Sequence, residues 1–552
     1  MRYTFRSQIH ILVTVILFAL FTFALTYLHT VEDPVSDNTA APIPNVPQAG
    51  ETETAASQTE TTESADTEAA VIETGARLNV IIPRSDSLSV SQSRHRIAAN
   101  TSPGSRAYIN GEETTVYPSG AFAGIVDIPI GHTHTGITVI SPSGDTLSKN
   151  FRFHRVDTPS VRPEMPEELY DEPRVAEIQG RRPYITSSTE IDRLGGRTLG
   201  FLDDGVLVEV TGRRGAYYRV RLTDRRDTYL PIRFANLLPE DTPVPRSTTG
   251  SLTVASQNKN DVVTLSVGAR LPYLSAMKTD PNSIEIDIFG AEAGTNEVFH
   301  TSSIKAVQDV ELTEVSEGHL RLRIKLEHDL HWGYQIGYGI GNSLRVSVRR
   351  PPGPVADKSA LEGRYIAIDP GHGGDNLGAL GATGITEKEI VLDISHRIRE
   401  KLEEEGARVM LTRRGDENVP ISERIDKIIA SDADVLVSIH ANSVSYNTNP
   451  VAIRGASVYY RYNGFRPLAQ IIHRHMLELP LHDFGLIGNF NFSLNSITEL
   501  PNMLVETAFL SNPEDEMKLL DPEFRNDIAD KIVAALREFF REHGEPGSHS
   551  PS

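Results

Sequence analysis

At Gly363 the hydrophobic period of this chain changes, and that change sets most of what the chain can fold into. Ahead of it, apolar residues alternate with polar ones at period two. Beyond it, short apolar strands alternate with helices. Tyr365 to Asp369 reads as a strand. Thr386 and Glu389 then form a capping box that opens a helix, with Ile390, Ile394, Ile398 and Leu402 along one face and Gly406 at its end. Arg408 to Thr412 is a second strand, Ile421 to Ala430 a helix, and Val435 to His440 a third strand. Strands at Ser457 to Tyr460 and Met503 to Glu506, a helix from Pro467, and a last helix bearing Ile528, Ile532, Leu536 and Phe539 complete the series. Alternation of this kind predicts an α/β domain, residues 363–545, whose strands are mostly buried on both sides.

The region ahead of Gly363 divides by composition. Residues 1–30 carry Arg2 and Arg6 and then an apolar run from Ile9 to Leu28, long enough at 20 residues to cross a bilayer with its N-terminus in the cytoplasm. No small-residue cleavage site stands near Tyr27, which favours an anchor in the inner membrane over a cleaved signal peptide and a soluble periplasmic protein. On either reading the remainder is exported to the periplasmic or cell-wall side. Residues 31–75 are a disordered acidic linker, with ten acidic residues and no Lys or Arg between Glu32 and Glu73. Residues 76–156 read as a β-sandwich-like domain punctuated by Asn110-Gly111, Pro118-Ser119-Gly120 and Pro142-Ser143-Gly144. Its His132 and His134 have no third ligand at useful spacing and read as surface histidines. A linker, 157–174, precedes residues 175–240, which resemble bacterial SH3-like domains. Arg213, Arg214, Arg225 and Arg226 read there as solvated turn residues rather than contacts to an anionic polymer. Residues 251–350, with Ile284, Ile286, Ile288 and then Leu320, Leu322, Ile324 in alternation, resemble the β-rich AMIN-type wall-targeting domains. Residues 351–362 form a linker around Pro351-Pro352-Gly353-Pro354, and 546–552 a tail.

Composition narrows the chemistry. Lys plus Arg number 54 against 74 Asp plus Glu, a net charge of −20, which is too acidic for a chain that must replace counterions along a nucleic acid. There is no Cys, so disulfide scaffolds, thiol nucleophiles and Cys-ligated zinc are excluded, and any metal site is built from His and carboxylates. Sites in open α/β sheets gather beyond the carboxyl ends of the strands. His372 follows the first strand within Asp369-Pro370-Gly371-His372-Gly373-Gly374, and His440 ends the third within Ser438-Ile439-His440-Ala441-Asn442. Glu506 ends the strand Met503-Leu504-Val505-Glu506, and Glu387 opens the first helix. Two imidazoles and a carboxylate leave a fourth zinc position for water, and a second carboxylate can carry that water's proton. Each role has a Glu available.

These four blocks, the last running from Val505-Glu506-Thr507-Ala508-Phe509-Leu510 to Ser511-Asn512-Pro513, resemble those of the zinc-dependent N-acetylmuramoyl-L-alanine amidases of the type 3 catalytic class. The spacings of 15, 53 and 66 residues between His372, Glu387, His440 and Glu506 agree with it. The resemblance implies a twisted, mostly parallel sheet flanked by helices. It also implies Zn2+ on His372, Glu387 and His440, Glu506 as catalytic acid/base, and peptidoglycan as substrate, cut between N-acetylmuramic acid and L-alanine during wall remodelling or daughter-cell separation. An activator protein is a further implied partner, because some cell-division members carry a helix that plugs the zinc site until an activator removes it. Only six residues separate Tyr460 from Pro467, which leaves little room for a plug there, whereas Asn442 to Arg454 is a longer loop. The family often has an Arg shortly before the last block, where this chain has Asn495.

Overall fold

The computed structural model describes residues 75–156, 165–190, 196–353 and 359–544. The apolar run at 9–28, most of the acidic linker and the tail lie outside the described residues, among which no helix is long and apolar enough to cross a membrane.

The C-terminal unit is built on one six-stranded sheet. Its strands are β1 (Tyr365–Pro370), β2 (Arg408–Leu411), β3 (Val435–Asn442), β4 (Ala456–Tyr459), β5 (Asp483–Ile487) and β6 (Asn502–Phe509). Its helices are α1 (Glu387–Glu404), α2 (Ile421–Ser431), α3 (Arg466–Met476), α4 (Pro513–Leu520) and α5 (Pro522–His543). The sheet order is β2-β1-β3-β6-β4-β5. β2, β1, β3 and β6 run parallel, and β4 turns antiparallel against β6. One face of the sheet sends Ile366, Ile368, Val437, Ile439, Met503 and Val505 into a core with Ile390, Ile394 and Ile398 of α1 and Ile528, Ile532 and Phe539 of α5. On the other face Ala367 and Leu436 pack with Ile425 and Ile428 of α2. Burial on both sides is what the Val, Leu and Ile runs of β1 and β3 require.

Three β units precede this sheet. The first packs a three-stranded sheet, which includes Leu78–Ile82, Arg94–Thr101 and Ala121–Asp127, on a five-stranded one around Ile97, Phe122, Ile137, Phe151 and Phe153. The second is a seven-stranded antiparallel sheet. The third comprises a five-stranded and a four-stranded sheet, and it shares one core with the second, joining Val208 and Val220 to Val254, Ile286 and Leu322.

One boundary needs correction. Residues 167–174, expected within a linker, belong to a twelve-residue strand, Glu167–Ile178, that pairs inside the second unit. Glu is a poor strand former, but Glu167 lies opposite Arg214 and Glu168 opposite Arg213, and opposite charges across an antiparallel pair offset that preference. The same pairing places Arg213 and Arg214 in a strand rather than a turn.

Candidate metal centre

The site begins with the loop after β1. The carbonyls of Pro370, at the end of β1, and of Gly371 and His372 beyond it turn toward two arginines. Arg413 donates from Nε to Pro370 O at 3.0 Å and from Nη2 to Gly371 O at 2.7 Å. Arg424 of α2 donates to Pro370 O at 2.6 Å and also to His372 O. The Arg424 guanidinium is itself held by Asp369 Oδ1 at 2.9 Å, while Asp369 Oδ2 accepts from Ser438 Oγ at 2.8 Å. Burial pushes the Asp369 carboxyl up, but Arg424 and the hydroxyl of Thr412 outweigh it and hold the group below the usual carboxylate range. His372, fixed in this way, adopts a left-handed backbone with φ of 59°, a conformation that a non-glycine residue keeps only when its surroundings enforce it.

Glu387 arrives from the other direction, at the first turn of α1. The capping box is formed, with Thr386 N–H donating to Glu389 Oε2 at 3.1 Å, so the helix starts at the carboxylate that the site uses. Glu387 Oε2 accepts from Ala379 N–H at 2.7 Å, and Oε1 accepts from Ala441 N–H at 3.0 Å. Both imidazoles converge on that same Oε1: His372 Nε2 lies 3.0 Å away and His440 Nδ1 2.9 Å. One ligand atom from each of the three residues lies within 4.8 Å of the others. Burial pushes the Glu387 carboxyl up, and the two imidazoles more than reverse this, keeping it ionised. Burial also pushes His372 down, and the Glu387 charge and hydrogen bond carry it back above its ordinary value.

This donor set fits a zinc ion. Tetrahedral zinc with ligand bonds of roughly 2.0–2.1 Å sets its donor atoms about 3.3 Å apart, close to the 3.0 and 2.9 Å at which the two imidazoles already stand from Glu387 Oε1. The second ring nitrogen of His372, Nδ1, lies 2.9 Å from Asn376 Oδ1, an acceptor for an Nδ1 proton, so Nε2, which faces Glu387 Oε1, is the nitrogen that a metal would take. Two glycines make the approach possible. A Cβ on Gly371 would stand 2.3 Å from His440 Cε1, and one on Gly378 would stand 2.5 Å from Glu387 Oε2.

Glu506 occupies β6 at the position in register with His440 on the neighbouring parallel strand β3. Residues paired in this way send their side chains to the same face of a sheet. Every other residue of β6 is buried, and Glu506 alone is half-buried, so the strand opens to solvent at its one acid. The ring of Phe492 approaches His440 edge-on, 6.2 Å between centroids. Asn495 is buried at 1% exposure, with Nδ2 3.4 Å from Asn502 Oδ1, so it packs within the unit. Between β4 and α3 stands only the 3-10 turn Asn463–Phe465, so no plugging helix is inserted there. In the first β unit His132 stacks on His154 at 4.4 Å, and among the described residues only His372, Glu387 and His440 form a three-residue metal-binding group. Asn376, Arg413 and Arg424 had no motif to mark them. For Arg424 the available signal is its place beside Ile421 and Ile428 on the inward face of α2, where a charge needs a buried partner.

A family described as N-acetylmuramoyl-L-alanine amidase matches residues 366–538. The N-acetylmuramoyl-L-alanine amidase LytC of Bacillus subtilis is 34% identical over 209 residues, covering 37% of this chain and 40% of that protein. The germination-specific N-acetylmuramoyl-L-alanine amidase of the same organism is 30% identical over 204 residues, covering 34% of this chain and 84% of that protein. The solved structure of N-acetylmuramoyl-L-alanine amidase AmiC2 of Nostoc punctiforme is 31% identical, with a TM-score of 0.31, and covers 32% of this chain and 97% of that one.

Proposed function

Because the chain belongs to the N-acetylmuramoyl-L-alanine amidase family, we propose that His372, Glu387 and His440 hold a zinc ion and that Glu506 carries the proton of the hydrolytic water. The protein is a peptidoglycan hydrolase of the amidase class, acting on the bond between N-acetylmuramic acid and the L-alanine of the stem peptide. The observation that carries the site assignment is the convergence of both imidazoles on Glu387 Oε1, with Glu506 one strand away in register with His440.

When bound, zinc supplies a Lewis acid that brings the pKa of a water to about 7 and polarises the amide carbonyl. The protein supplies the rest. Asn376 keeps the His372 proton on Nδ1, and the Ala379 and Ala441 amides hold both carboxylate oxygens of Glu387 in place. Glu506 takes a proton from the attacking water on a carboxylate oxygen and returns it to the departing L-alanine nitrogen, the step that an amide leaving group cannot do without.

The substrate lies outside the cytoplasm, so the enzyme is exported. Residues 9–28 anchor it in the inner membrane, supported by their length and by the absence of a cleavage site near Tyr27. The three β units ahead of the catalytic unit, sandwich-like, SH3-like and AMIN-like in pattern, position it on the wall. An activator protein is a partner consistent with the family, and wall remodelling or daughter-cell separation is the process served.

The test is digestion of purified peptidoglycan by the full-length protein with mass spectrometry of the products. Release of the intact stem peptide with a free L-alanine amine is expected. Cleavage within the glycan or between two peptide residues overturns the bond assignment.

A further inference from the structure

The first β unit touches the catalytic unit through a strand that is buried on both of its faces. In Arg94–Thr101 seven of the eight residues are buried, although a small sandwich covers only one face of each strand. The alternation explains it. Ile97 and Ala99 enter the core of the sandwich. Arg96, Ala98 and Asn100 alternate with them and face the catalytic unit. Ala98, with Ile82 and Ala121, packs on Ala382, and Asn100 Nδ2 donates to Ala382 O at 2.9 Å. The backbone N–H of Arg96 donates to Tyr446 O at 2.6 Å, and its Nη1 donates to Val444 O at 2.7 Å and Ser443 Oγ at 3.0 Å. The Arg96 guanidinium lies over the Tyr446 ring at 5.0 Å, and His95 stacks on the same ring at 5.4 Å.

The two segments gripped are those that carry the site. Ala382 stands in the loop between His372 and Glu387, and Ser443 to Tyr446 begin three residues beyond His440. Arg96 is 5% exposed, no carboxylate of the described residues lies within ion-pair distance of it, and its Nε is buried without an acceptor. Burial pushes the guanidinium down only to about 10, so it is charged at neutral pH. A buried cation without a counter-ion is a poor way to hold two domains together, since an apolar side chain of similar volume would be less costly. Departures of that kind gather where a position serves function.

We infer that Arg96 and Asn100 are positioning residues of the amidase: the N-terminal sandwich clamps the loops 379–386 and 443–452 in the shape that aligns ligands and substrate. This rests on the amidase reading above. The catalytic unit then depends on a module that the sequence had presented as a separate β-sandwich-like domain.

The test compares full-length wild type with Arg96→Ala, Arg96→Lys and Ser443→Ala, using Arg106→Ala as a control, because Arg106 pairs with Glu113 on the exposed side of the sandwich. Each protein is assayed on a soluble muropeptide and by hydrogen exchange. Loop displacement of the order of an ångström predicts a fall in kcat of about 10- to 100-fold for Arg96→Ala with KM little changed. Arg96→Lys recovers part of it, Ser443→Ala shows a smaller loss, and Arg106→Ala matches wild type. Exchange rises at 443–452 in Arg96→Ala while the sandwich strands Gly131–Ile140 and Thr146–Arg155 stay protected. Wild-type kcat in both Arg96→Ala and Ser443→Ala overturns the inference, as does a rise in activity, which would make the sandwich a cover. Should Arg96→Ala lose protection throughout the sandwich, Ser443→Ala decides alone, since it alters only the catalytic side. A wild-type protein that releases no stem peptide defeats the amidase reading instead, and the exchange result still tests the clamp.

Discussion

Gly371 and Gly378 are as necessary to the proposed metal centre as the residues that would hold the ion. The Gly371 Cα faces the His440 ring and the Gly378 Cα faces Glu387, with no room for a methyl group at either. Gly371→Ala therefore displaces His440, and zinc content by elemental analysis is expected to fall while circular dichroism stays that of wild type. At Glu506 the expectation is reversed. Glu506→Gln keeps the three ligands and loses the proton carrier, so zinc is retained and turnover on muropeptides drops by about 10²- to 10⁴-fold. Retained activity would remove Glu506 from the reaction. Gly371 was legible because it lies in a glycine-rich turn with a histidine at its centre, and His440 and Glu506 because each follows a run of apolar residues, although both strands continue beyond them. Gly378 and Asn376 were not, since nothing in a polar loop shows which backbone a side chain from elsewhere will approach. Asn495, read as standing where an arginine is frequent in the family, turns inward and is buried.

At the scale of elements, the capping box Thr386 and Glu389 was readable, and it does more than start α1, because it sets the register in which Glu387 meets the histidines. Two elements escaped. β5 lies at the edge of the sheet with no fully buried residue, so it shows no alternation to read. α4 is only eight residues long; its start is fixed by Asn512, whose side chain accepts from Glu514 and Asp515 N–H, and by Pro513 at the first position. The junction of β1 with α2 carries a testable charge balance. Arg424→Ala leaves Asp369 buried without its cation and should cost about 3–5 kcal/mol in urea unfolding. The folded pKa of Asp369 lies below its unfolded value, so its contribution is complete above the unfolded pKa, near 4, and is lost as pH falls through the folded one. The stability difference between wild type and Asp369→Asn should accordingly shrink below pH 4. A difference that does not change with pH over that range would show that Asp369 is not the ionised partner of Arg424.

For the whole molecule, the sequence suggested separate β modules strung ahead of a catalytic domain, and the described residues instead form continuous interfaces. The second and third units share a core. The third meets the catalytic unit where Trp332, at 1% exposure, lies 5.4 Å from Phe539 and 6.2 Å from Phe540 between ring centroids. Periodicity reports which face of a strand is buried but not which neighbour buries it, and this is why the module boundaries were easier to read than the docking. Trp332 is the only tryptophan of the chain, so its emission reports that interface directly. Phe540→Ala removes a buried ring and should weaken the contact by about 3–5 kcal/mol. Its tryptophan emission should shift at lower denaturant than the loss of far-ultraviolet ellipticity, whereas the two coincide in wild type. Coincidence in the variant would show that docking does not depend on this contact.

The account depends most on the zinc that His372, Glu387 and His440 are proposed to share. Elemental analysis of the full-length protein after equilibration with zinc and exhaustive dialysis, set beside His440→Ala, reads that directly. One zinc per chain in wild type and its loss in the variant is the predicted result. No zinc in wild type, or the same content in both proteins, would contradict it.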